Sequence, residues 1–245
     1  MNYKIQKTLE NLKVNGYQVV ENFINESEVK LLEKYFDDFL SDQKDDFPFH
    51  VNTKFLKSKN LFLNRKDNDY IKKFSSIIDN PYINKIAKLY LKRNFEPSKL
   101  MIYKTEGLDD KNFIDNSKYA FVPHTDETYF LKFFIYLTDV DITHGPLNVV
   151  PKSHSIFKKK RHDWILKNKN YLKRNKVDYS FENKMIPLVG KKGTMIIFDT
   201  DMLHKAGIIE KNKLRKVIRF DFYSFDENYN TLTKKIFLKF KNLIK

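Results

Sequence analysis

Apolar residues in the first hundred positions recur at spacings of three and four; beyond position 99 they fall into short runs instead. Val29, Leu32, Phe36 and Phe39 would line one face of a helix. Asn25 stands three residues before Glu28, the arrangement of a capping box with asparagine as the cap. Ahead of that helix, the chain reads as a helix, a turn at Gly16 and a short apolar strand, Tyr17–Val20. A second helix is predicted over Tyr70–Ile78, ended by Asn80-Pro81. Pro81 can itself open a third helix, with Ile83, Ile86, Tyr90 and Leu91 facing inward.

From Lys99 the pattern predicts strands. The runs are Leu100–Tyr103, Tyr129–Leu137, Leu147–Val150, Met185–Val189, Thr194–Phe198 and Val217–Tyr223. They are rich in β-branched and aromatic residues and are punctuated by Gly107, Gly145-Pro146, Pro151, Gly190, Gly193 and Gly207. Many short strands separated by turns point to a sandwich or jelly roll, with the preceding helices buttressing one sheet. The expected organisation is one domain over 1–245: a mostly helical part to about 98, a β core over 99–225 and a tail over 226–245. Residues 152–184 interrupt the core as an insertion of the kind that forms a lid or substrate loop. Ile236, Phe237, Phe240, Leu243 and Ile244 predict a terminal helix.

Composition narrows the chemistry. The chain has no cysteine, so disulfides and thiolate metal sites are excluded and any metal must use His, Asp or Glu. Its net charge of +15 is spread along the whole length, which reads as compositional bias; no nucleic-acid partner is expected. The densest stretch, Lys152–Lys176, holds ten Lys/Arg against the single acid Asp163 and permits an acidic small-molecule or carrier-bound substrate. The polar amino-terminal stretch lacks a signal-peptide core and no run is long and apolar enough to span a bilayer, so a cytoplasmic protein is expected.

The sharpest local feature is Pro123-His124-Thr125-Asp126. On a strand, His124 and Asp126 share a face and can grip one metal ion. A second histidine would complete a two-histidine, one-carboxylate triad that leaves the opposite face of an octahedron open, as non-haem Fe(II) oxygenases require. His204, 78 positions after Asp126 and just beyond the run Gly193–Asp199, is the best third ligand. His50, His144, His154 and His162 read as structural or exposed. An oxo-acid cosubstrate also needs a fixed cation, and arginine offers a planar fork. Alternation puts Arg215, Val217, Arg219 and Asp221 on one face, so Arg215 and Arg219 both remain possible clamps.

The ordered set His124-x-Asp126, Gly145-Pro-Leu-Asn-Val-Val-Pro-Lys-Ser-His154, Gly193-Thr-Met-Ile-Ile-Phe-Asp199, His204 and Arg215 resembles the phytanoyl-CoA dioxygenase family. Asn15-Gly-Tyr-Gln-Val-Val20 followed by a helix matches the family's usual opening, and the similarity runs from about residue 10 to residue 225. The resemblance implies a double-stranded β-helix (a cupin-like jelly roll), Fe(II), O₂ and 2-oxoglutarate as cosubstrate. It carries metal binding onto His124, Asp126 and His204, and cosubstrate binding onto Arg215, with Lys104 as a second contact. Hydroxylation of an unactivated C–H bond is the activity it implies; a non-catalytic jelly-roll binding protein and an oxygenase acting on nucleic acid are the alternatives. The chain departs from the family's usual pattern at Lys152, where glycine is common, and at Ala206, where a small hydroxyl is common.

Overall fold

The computed structural model describes residues 3–41, 51–52, 56–63, 72–92, 95–108, 121–126, 129–159 and 179–224. Helix α1 (Tyr3–Asn15) leads into β1 (Tyr17–Val20) and α2 (Glu26–Ser41). Asn25 caps α2 as expected, its Oδ1 accepting the Glu28 amide at 2.9 Å. Two short antiparallel strands follow, β2 (Val51–Asn52) and β3 (Leu56–Leu63). Of the helix expected over Tyr70–Ile78, the described part includes α3 (Ser75–Ile78). Pro81 opens α4 (Pro81–Leu91), and Asn80 Oδ1 accepts the Tyr82 amide at 3.0 Å.

The remaining strands are β4 (Phe95–Gly107), β5 (Phe130–Tyr136), β6 (Leu147–Val149), β7 (Ile186–Leu188), β8 (Met195–Asp199), β9 (His204–Ala206) and β10 (Leu214–Ser224). They form two antiparallel sheets, β1-β8-β5-β10-β4-β3-β2 and β7-β6-β9. This is the expected jelly-roll arrangement of two facing sheets, without closure into a barrel. The insertion begins as a helical stretch over 153–159 and ends in a 3₁₀ helix, Tyr179–Lys184. The terminal helix expected over 234–245 lies outside the described residues.

Strand alternation divides the large sheet into two unlike faces. Leu131, Phe133 and Ile135 of β5, Met195 and Ile197 of β8, and Ile218, Phe220 and Phe222 of β10 pack with Leu12, Leu32, Phe36, Ile83 and Ile86 of the helices. The intervening residues, Phe134, Tyr136, Ile196, Phe198 and Val217, turn the other way and meet Leu147, Val149 and Leu188 of the small sheet. The helices are therefore outside the sandwich, and the space between the sheets is lined by alternate residues of the same strands. At the tight turn before β8, Gly193 has φ +86°, and a Cβ there would lie 2.5 Å from the Ile24 carbonyl oxygen. Only glycine fits that approach.

Candidate metal centre

His124, Asp126 and His204 come together in the space between the sheets. Their ligand atoms all lie within 4.8 Å of one another, and among the described residues they form the group able to hold a metal ion. His204 sits on β9, whereas the strand expected around His124 is reduced to a single bridge. His124 and His204 pair there directly, each accepting the other's amide, at 2.9 and 2.8 Å. The two rings are 4.4 Å apart between centroids, and Phe198 packs edge-on against His204 at 5.1 Å.

Both imidazoles are oriented in the same way. Nδ1 of His124 faces the Val122 carbonyl at 2.8 Å, and Nδ1 of His204 faces the Met202 carbonyl at 2.8 Å. A carbonyl only accepts, so Nδ1 carries the proton in each ring and Nε2 carries the lone pair a metal needs. The two Nε2 atoms lie 3.9 and 3.8 Å from the same oxygen, Oδ1 of Asp126. Burial, then the neighbouring His124, pulls the pKa of His204 down to about 3, so the ring is neutral at ordinary pH. Burial alone would raise Asp126; Lys132, followed by His204 and Arg219, outweighs it and holds the carboxyl well below its usual range. Two neutral imidazoles and one carboxylate form a donor set suited to a divalent transition metal.

The structure separates the two arginines left open by the sequence. Both project inward from β10, but Arg219 is fully engaged. Its Nε donates to Asp221 Oδ1 at 2.7 Å, its Nη1 to the Tyr103 hydroxyl at 2.7 Å, and its Nη2 to Asp221 Oδ2. Arg215, partly buried near Tyr136 and Tyr103, has no acidic partner among the described residues, and its Nε is buried without a hydrogen bond. A guanidinium so placed is the cation that an anionic ligand would complete.

Lys104 does not join the group. Consecutive pairing of β4 with β10 sets Lys104 opposite Lys216, on the face that turns to the helices, and its ammonium pairs with Glu106 at 2.9 Å. The expected cosubstrate contact from Lys104 is not brought to the triad. His154 docks on the α1–β1 turn, with Nε2 3.1 Å from the Lys13 carbonyl, and His144 closes a turn with Asp141 at 2.8 Å. His50 and His162 lie outside the described residues. Conversely, the sequence reading passed over Lys132, whose ammonium contacts Asp126 Oδ2. Its signal was present: it is the one charged residue within the run Tyr129–Leu137.

The fold and the cluster together define a jelly-roll protein with a two-histidine, one-carboxylate metal centre between its sheets. The chain belongs to the phytanoyl-CoA dioxygenase (PhyH) family, whose model matches residues 12–217. No functionally curated protein matches the chain as a relative. Among solved structures, the non-haem α-ketoglutarate-dependent epimerase SnoN from nogalamycin biosynthesis is similar with a TM-score of 0.61 and 14% identity, over 90% of this chain and 83% of that one. EctD from S. alaskensis, solved with bound Fe, is similar with a TM-score of 0.59 and 16% identity, over 89% and 76%. HygX from Streptomyces hygroscopicus, solved with nickel and 2-oxoglutarate, is similar with a TM-score of 0.61 and 9% identity, over 89% and 87%. At these identities the likeness concerns the fold. No described helix is long and apolar enough to cross a membrane.

Proposed function

We propose that this chain is an Fe(II)- and 2-oxoglutarate-dependent dioxygenase that hydroxylates an unactivated C–H bond of a small-molecule or carrier-bound substrate. The observation that carries the reading is the grouping of His124, Asp126 and His204, within 4.8 Å of one another, with Arg215 on the inner face of β10, its Nε buried without a hydrogen bond and no acidic partner among the described residues. His124 and His204 would hold the ion through Nε2 and Asp126 through a carboxylate oxygen; Arg215 would clamp the far carboxylate of 2-oxoglutarate. Iron with 2-oxoglutarate and O₂ supplies the oxidising power for C–H cleavage.

The protein's own part is orientation and exclusion of water. The two Nδ1–H donors fix the imidazoles, and Asp126 stays ionised beside Lys132. Tyr136 and Phe198 wall the space between the sheets, where charge interactions are stronger than in water. Membership of the family supports the cofactor pair, as do the iron in the EctD structure and the nickel and 2-oxoglutarate in the HygX structure. SnoN is an epimerase on the same fold, so the product must be identified as well as the turnover counted.

The test is a metabolite screen with Fe(II)-loaded protein, scoring succinate released above the uncoupled background and the mass of the product. A product heavier by one oxygen, and loss of both signals in His124→Ala, is the expected outcome. Unchanged turnover in His124→Ala would falsify the assignment.

A further inference from the structure

Two buried acids, Asp126 and Asp221, face one buried cation, Lys132, and one half-buried cation, Arg219, between the sheets. Lys132 of β5 lies opposite Asp221 of β10 in the strand register, so these two would be natural partners. They are not paired. Arg219 occupies both oxygens of Asp221, and the Lys132 ammonium reaches instead to Asp126 Oδ2. Lys132 is only 4% exposed and is flanked by the rings of Phe130 and Phe198, 5.8 and 6.0 Å from its nitrogen. These rings restrict the directions open to its side chain. The carboxylate of Asp126 is thus divided: Oδ1 faces both imidazoles at 3.9 and 3.8 Å, while Oδ2 faces the ammonium.

A lysine whose sole duty was to neutralise Asp126 would be adverse here, because a divalent ion performs that duty and is repelled by a nearby ammonium. The division of the two oxygens has another use. A triad keeps three coordination positions open only if each protein ligand contributes one atom. A carboxylate free to rotate can chelate through both oxygens and take a position needed by cosubstrate or O₂.

We propose that Lys132 is a positioning residue of the metal centre, holding Oδ2 of Asp126 so that the carboxylate meets the ion through Oδ1 alone. This rests on the metal-centre reading above. Arg219 assists indirectly, by engaging Asp221 and leaving Lys132 to Asp126.

The test uses CoCl₂ as the probe, without cosubstrate, and reads affinity and visible d–d absorption. Lys132→Met removes the donor at similar length. It should shift the absorption pattern that reports coordination number to that of an ion chelated by both oxygens of Asp126, whatever the change in affinity. Lys132→Arg, which keeps a cationic donor, should recover the wild-type spectrum. Removing a purely electrostatic lysine would instead leave the wild-type spectrum in place, with Co(II) bound equally or more tightly, and an unchanged spectrum in folded Lys132→Met overturns the proposal. If the wild type itself takes up no Co(II), the metal centre and this inference fail together; if the wild type binds and Lys132→Met matches it, only this inference fails. Should Lys132→Met not fold, the crystal structure of Co(II)-loaded wild type decides the matter. Oδ1 alone should ligate, with Nζ on Oδ2; chelation through both oxygens, or Nζ withdrawn, overturns the proposal.

Discussion

The two faces of the large sheet are built from alternate residues of the same strands, yet they do different work. Towards the helices, Phe133, Phe220 and Phe222 form an aromatic cluster, with Phe133 and Phe220 stacked at 5.2 Å. Its polar groups sit at the strand ends and are partnered: Lys216 is bound by Glu33 at 2.8 Å and Asp37 at 2.7 Å from α2, and Asp199 at the end of β8 accepts the Tyr90 hydroxyl at 2.8 Å. Between the sheets, the same two strands, β5 and β10, supply Lys132, Arg215, Arg219 and Asp221, and Asp126 joins them. Buried charges cost free energy unless paired, so this face gives up stability that the other provides. One strand can serve both ends because its side chains point alternately, and a one-residue slip would exchange them.

This contrast is sharpest for substitutions on opposite sides. His204→Ala should remove metal binding and substrate-dependent succinate formation below detection, while the melting midpoint of the metal-free protein falls far less than in Phe133→Ala. Phe133→Ala, on the helix side, should cost about 3–5 kcal/mol in denaturant unfolding and leave the cosubstrate KM of the folded enzyme unchanged. Equal effects of both variants on both readouts would dissolve the division of labour.

The two arginines should divide in the same manner within the inner face. Arg219→Ala strands a buried carboxylate and should destabilise the protein by about 3–5 kcal/mol. Arg215→Ala leaves none of the described acids unpaired and should chiefly raise the 2-oxoglutarate KM, by roughly 10–100-fold for the loss of about 1.5–3 kcal/mol of charge-assisted hydrogen bonding. If Arg219→Ala raises KM and Arg215→Ala unfolds the protein, the clamp has been assigned to the wrong residue.

Acid should act through the inner face as well. His204 has its folded pKa lowered to about 3 from the ordinary imidazole value of 6.5, so between these values the unfolded chain binds the extra proton. Stability of the metal-free protein therefore falls as pH drops through this window, by at most about 1.4 kcal/mol per pH unit from this group. His204→Gln should flatten that slope in urea titrations at several pH values; an unaltered slope would assign the acid sensitivity elsewhere. The smallest effect is expected outside both faces. Lys152 holds φ +67° in the turn before His154, where the family commonly has glycine. Lys152→Gly should therefore raise the unfolding free energy by about 0.5–1 kcal/mol without changing activity.

The strands that carry the site were legible because their alternation is strong: the run Tyr129–Leu137 became β5, and Val217–Tyr223 lies within β10. The strands β2 and β3 were missed, since Lys57-Ser58-Lys59-Asn60 shows no apolar alternation and the pair lies at the sheet margin. β4 begins earlier than read, because Pro97 masks the signal of a strand that otherwise continues to Gly107. The meeting of His124, Asp126 and His204 could be guessed from motif order. The choice between Arg215 and Arg219 could not be made from alternation alone, which places both on one face; the family resemblance favoured Arg215, and the distinguishing fact, that Arg219 is satisfied by Asp221 and Tyr103, is a contact. The position of Lys104 failed for a related reason: being at the end of a run does not say which way a side chain points.

The reciprocal pair of main-chain bonds between His124 and His204 has a consequence for how an ion is captured. Two donors 80 positions apart in the chain are clasped together by amides and carbonyls, before any ion arrives. Little conformational freedom is left to lose on ligation, so the centre can empty and refill without unravelling the sheets around it. An unfolded chain, lacking the clasp, offers the ion no comparable grip, and added metal should then protect the native state in proportion to the logarithm of its concentration.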